Sequence, residues 1–94
     1  MTDLTADTFD PLDGGIFTVM AVAPVQQLRL IEISRKGQGE RAGGSFSLLW
    51  QSDTRLVLPQ GSYVLNNDSL GDIELFIVPV GRAGDGVHYE AVFA

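Results

Sequence analysis

The sequence predicts an all-β fold, a small antiparallel barrel or sandwich of six or seven strands with one short helical turn at the amino terminus. Three observations predict it. Apolar residues recur with period two or in short runs, the runs are rich in Val, Ile, Phe and Leu, and Gly, Pro, Asn or Asp interrupts them about every ten residues. A chain of 94 residues is expected to form a single β domain, 1–94, large enough to fold on apolar packing without disulfides or metal.

The helical turn falls within 4–12. Thr5 is placed to cap it, Asp7 and Thr8 lie in the first turn where an acid suits the helix dipole, and Pro11 is expected to end it. Phe9 and Leu12 then read as a plug against the sheet. After the flexible Asp13-Gly14-Gly15 turn, strands are expected near 16–22, 28–35, 45–52, 55–58, 62–66, 72–80 and 87–93. Phe46, Leu48 and Trp50 alternate with Ser45, Ser47 and Gln51, so the first set should point inward and the second to water.

Some positions break the alternation. Leu28 and Leu30 share one face and Ile31 and Ile33 the other, which indicates either a bulge between Leu30 and Ile31 or burial of both faces. The segment 73–80 is apolar on both faces except at Glu74, as in a central strand covered on both sides, and Glu74 is either a buried acid or faces Arg29 or Arg55 across the sheet. Pro59 and Gly61 suit a type I turn between two short strands, Pro79 belongs where its ladder ends, and the glycines of 81–86 suit a hairpin loop. The core expected from these patterns comprises Phe17, Leu30, Phe46, Leu48, Trp50, Tyr63, Leu75, Ile77, Tyr89 and Phe93. Leu49, Phe76 and Val92 face solvent, a second sheet or a neighbour. If they face outward together they form an apolar patch of the kind that marks an interaction site.

Composition excludes several chemistries. There is no cysteine, hence no thiol nucleophile, disulfide or thiolate metal site. Twelve acids against six basic residues, a net charge of −6, oppose binding to a phosphate backbone, so no nucleic-acid partner is expected. No run of about 18 apolar residues is present, so no membrane-spanning helix is expected. The amino terminus carries acids where a signal peptide needs basic residues, which suggests a cytoplasmic chain or one exported without a cleaved signal.

Candidate chemistry is sparse. His88 is the single histidine and lies on the polar side of its strand. Gly37-Gln38-Gly39-Glu40-Arg41-Ala42 imitates a dinucleotide fingerprint but lacks the helix that would hold the phosphates. The acids at 3, 7, 10 and 13 do not have the spacing of a calcium loop. No catalytic residue, cofactor or metal is therefore expected. The charge is blocked, with Asp3, Asp7, Asp10 and Asp13 in the first stretch and Arg29, Arg35, Lys36 and Arg41 against Glu32 and Glu40 in the second. Such blocks are read either as solvated surfaces or as a head-to-tail contact that weakens with salt.

The stretches LPQGSYVL (58–65), IELFIVPVG (73–81) and GVHYEAVF (86–93), with the opening LTADTFDPLDGGIF (4–17), resemble a family of short bacterial proteins known as a domain of unknown function. This chain departs from that pattern by a longer glycine-rich insert around 36–44. The resemblance implies genes encoded near those of proteins with phage-tail-collar-like domains, and it supplies no established catalytic residue to carry over. The function expected is a non-enzymatic structural or interaction module, a subunit of a phage-tail-like or filamentous assembly that associates with itself or another assembly protein. Its candidate contacts are Asp3, Asp7, Asp10, Arg35, Lys36, Arg41, Phe76 and Val92. The alternative is a small barrel binding an apolar or carbohydrate ligand against Trp50, Tyr63 or Tyr89.

Overall fold

A computed structural model describes residues 4–20, 22, 25–35 and 45–93. Helix α1 (Ala6–Phe9) runs into a 3-10 turn (Asp10–Leu12), followed by β1 (Ile16–Val19), β2 (Gln26–Arg35), β3 (Phe46–Ser52), β4 (Gly61–Asn67), β5 (Gly71–Ala83) and β6 (Gly86–Phe93). The six strands close into a barrel in the order β1-β2-β3-β6-β5-β4, every pairing antiparallel, with Thr18 opposite Asn66 and Val19 opposite Leu65 at the β1–β4 seam. Among the described residues no helix is long and apolar enough to cross a membrane.

Closure leaves one inner face, and alternation fills it. Phe17, Val19, Leu28, Leu30, Phe46, Leu48, Trp50, Leu65, Ile77, Val87 and Tyr89 are almost wholly buried, each large side chain contributing about 1.5–3 kcal/mol. Thr5 caps α1, its backbone N–H donating to Thr8 Oγ1 at 3.1 Å. Pro11 does not end the helical segment. It occupies the start of the 3-10 turn, where its missing N–H is not needed. Phe9 is fully buried and contacts Phe17, Phe46 and Phe93 at ring-centroid distances of 6.4, 6.1 and 6.0 Å, so the expected plug closes one end of the barrel.

Several sequence expectations are corrected. Tyr63 and Phe93 are only half-buried, since both stand towards strand ends where one side meets solvent. Phe93 stacks on Phe46 with centroids 4.4 Å apart, and the Tyr63 hydroxyl donates to the Pro59 carbonyl at 2.6 Å. Ser47 is buried rather than wet, between Ser34 and Val92 in the ladders on either side. Residues 55–58 form no strand. They belong to a connection that carries the chain from β3 to β4, which are not neighbours, and Pro59 therefore turns no hairpin. This crossing is tied down by Tyr89, whose hydroxyl accepts the Leu58 N–H at 2.9 Å and donates to the Leu56 carbonyl at 3.5 Å.

Strand β5 is not covered on both sides. Leu75 and Ile77 are buried while Glu74, Phe76 and Val80 are exposed, because a closed barrel has no second layer outside it. Its 13 residues serve two neighbours in turn, pairing with β4 up to Ile77 and with β6 from Val78 onward. Pro79 stands beyond the last β4 pair, at the register shift between Pro79 and Gly81, so one ladder has ended there and the other continues to Ala83. Glu74 faces Val64, not Arg29 or Arg55.

Candidate functional site

The outer wall of the barrel carries the features that need explanation. In β2 the pairing jumps from Leu30↔Trp50 to Glu32↔Leu49, so Ile31 is the extra residue of a β-bulge. The bulge leaves both Ile31 and Glu32 exposed and turns Ile33 back towards the core opposite Leu48. Ile31 then joins Ile16 from β1, Gln27 and Arg29 from β2, and Gln51 and Asp53 at the end of β3 around an open groove of about 470 Å³. The break in alternation at Leu30-Ile31 was the one sign of this groove in the sequence.

A second feature occupies β5 and β6. Phe76 is 54% and Val92 66% exposed, and they lie two residues beyond the facing pair Val78 and Glu90 on adjacent strands. Val64 faces Glu74 beside them, and Leu49, half-buried, faces Glu90 from β3. Phe76 and Val92 thus stand outward as an apolar patch edged by two acids.

The predicted charged residues divide differently. Arg35 donates to Asp7 Oδ1 at 2.9 Å and to Asp10 Oδ2, so β2 is pinned to α1 and its 3-10 turn. The sequence left these residues either as solvated surface or as one side of a head-to-tail contact, and within the chain Arg35 binds both Asp7 and Asp10. The hydrogen bond to Asp10, then that to Asp7, raises the Arg35 pKa above its ordinary value. A raised cationic pKa stabilises the fold below the unfolded value and is lost only as pH passes the folded one, so this contact is constant across the neutral range. Asp3, Lys36 and Arg41 lie outside the described residues, as does the glycine-rich segment 37–44.

Among the described residues no group of three His, Asp or Glu side chains is placed to hold a metal ion. His88 is half-buried, facing Gln51 on β3 and Gly81 on β5. Trp50 Nε1 and Gln26 Oε1 are buried without a hydrogen-bond partner among the described residues.

The family described as Domain of unknown function (DUF6916) matches residues 4–93. The chain belongs to the DUF6916 family. No curated protein and no solved structure matches it. The DUF6916 match spans the α1 plug, all six strands, the groove and the outer patch, so each lies inside the family's own domain.

Proposed function

We propose that this domain is a non-enzymatic association module, joining copies of itself or another assembly protein through its outer sheet face. The exposed pair Phe76 and Val92 carries this reading, because large apolar side chains grouped outside a closed core mark surfaces that gain by being covered. A subunit of a phage-tail-like or filamentous assembly is the form that the sequence resemblance suggests. The ligand-binding alternative is the weaker one. Trp50 and Tyr89 are packed inside, and Tyr63, half-buried, has its hydroxyl engaged by Pro59.

Sedimentation equilibrium across a concentration series tests the proposal. Concentration-dependent association, or a defined complex with a co-purified partner, is expected, and Phe76→Ser should weaken it. A monomer at every concentration with no partner would overturn it.

A further inference from the structure

The two ends of the barrel are closed by different means. At one end, where β3 begins with Phe46 and β6 finishes with Phe93, Phe9 packs among Phe17, Phe46 and Phe93. At the other end the chain leaves β3 at Ser52 and passes β6 and β5 to reach β4, so residues 53–60 cross the mouth as a strap. The buried Tyr89 marks its path, since this inward side chain reaches the strap at Leu56 and Leu58. Leu58 packs against the core, while Leu56 and Val57 are exposed. Among the described residues no backbone–backbone hydrogen bond involves 53–60.

Side chains hold the strap instead, and they are of two kinds. The Ser52 hydroxyl donates to the Thr54 carbonyl at 2.8 Å and the Tyr63 hydroxyl to the Pro59 carbonyl at 2.6 Å, but each joins near neighbours in the chain and shapes the strap's ends without fixing it over the mouth. Two links reach a different element. Arg55 meets Asp85 at 3.0 Å with both side chains mostly exposed, a kind of pair that contributes little. The Tyr89 hydroxyl, carried by a fully buried ring on β6, accepts the Leu58 N–H at 2.9 Å and donates to the Leu56 carbonyl at 3.5 Å. We propose that 53–60 is a flap that opens this mouth while the six strands stay closed, and that the Tyr89 hydroxyl is its latch. Segments with few buried apolar contacts and no ladder open at a fraction of the free energy of global unfolding. Opening uncovers Tyr89, the residue that faces Trp50 across β3 and β6, at the end of the barrel away from the Phe9 plug. The flap does not depend on the association reading.

Trypsin reads the flap directly, because the bond after Arg55 lies in it, whereas the bond after Arg29 lies in β2 with ladders to β1 and β3 on either side. Initial cleavage rates, resolved by mass spectrometry, follow the population of each open form when reclosing is fast. In the unchanged chain, low urea should speed cleavage after Arg29 steeply and after Arg55 little, since a local opening exposes little surface. Phe9→Leu loosens the plug in both the open and the closed flap, so it should speed the Arg29 cut about tenfold and leave the Arg55 cut unchanged. Tyr89→Phe keeps the ring and removes the hydroxyl. With circular dichroism confirming the barrel, it should speed the Arg55 cut about tenfold, while Asp85→Ser, which removes the ion pair, should change it less than about twofold. Equal urea dependence at the two bonds, or equal acceleration of both by Phe9→Leu, means that the flap opens only with the barrel and overturns the proposal. An unchanged Arg55 rate in Tyr89→Phe, or an effect of Asp85→Ser as large as that of Tyr89→Phe, overturns Tyr89 as the latch.

Discussion

Among the described glycines, Gly86 has the least room for a side chain. A Cβ there would lie 2.1 Å from the Ser52 carbonyl oxygen, at a point where Ser52 Oγ accepts the Val87 N–H at 2.9 Å and donates to the Thr54 carbonyl at 2.8 Å. Backbone meets backbone, so no side chain can swing aside. Gly86→Ala should therefore destabilise the fold by about 1–3 kcal/mol in urea denaturation. Gly81→Ala, where a Cβ would meet nothing within 4 Å, serves as the control and should change little. A glycine between a loop and a strand was visible in the sequence as a turn residue. Its need to be glycine was not, because the atom that forbids a side chain belongs to a residue 34 positions earlier.

Among the elements, α1 is short, yet it carries a large share of one end of the core. Four helical residues have negligible stability alone, so its position depends on Phe9 packing into the aromatic group of Phe17, Phe46 and Phe93, with Arg35 holding Asp7 and Asp10 at its outer side. Phe9→Ala should cost about 3–5 kcal/mol, seen as a lower urea midpoint with the barrel's β-sheet circular dichroism retained in water if the remaining stability allows. A loss below 1 kcal/mol would mean that the plug is dispensable. The plug was legible because Phe9 and Leu12 follow a capped turn. The segment 55–58 was misread for a physical reason: Leu56-Val57-Leu58 has strand composition, but the tyrosine hydroxyl of Tyr89 takes the place of a neighbouring strand for its backbone. Strand β5 was read as doubly covered because an apolar residue outside a barrel and one beneath a second layer look alike along the chain.

For the whole molecule, the net charge of −6 sets how association between copies should respond to salt. A contact of acidic end to basic loop would weaken with salt, but Arg35 is already paired within its own chain. Between copies that each carry a net charge of −6, the long-range interaction is repulsive. At a spacing near the 25 Å middle dimension of the domain, two such bodies repel by roughly 2–3 kcal/mol at 0.01 M salt and by a few tenths at 0.15 M, whereas screening one exposed pair forfeits about 1 kcal/mol at most. Association should thus tighten about tenfold over that range when followed by sedimentation equilibrium, and a loosening would mean that charge pairing holds the contact. The sequence by itself determined the all-β class, most turns, the plug and the inward set Phe46, Leu48 and Trp50, because period-two alternation and turn chemistry act between near neighbours. Only the tertiary structure decided that the sheet closes as a barrel, that Phe76 and Val92 stand outside, and that Ile16, Arg29 and Ile31 share a groove. Each of these depends on pairing between distant strands, such as Thr18 with Asn66, and local alternation carries no record of which strands will be neighbours.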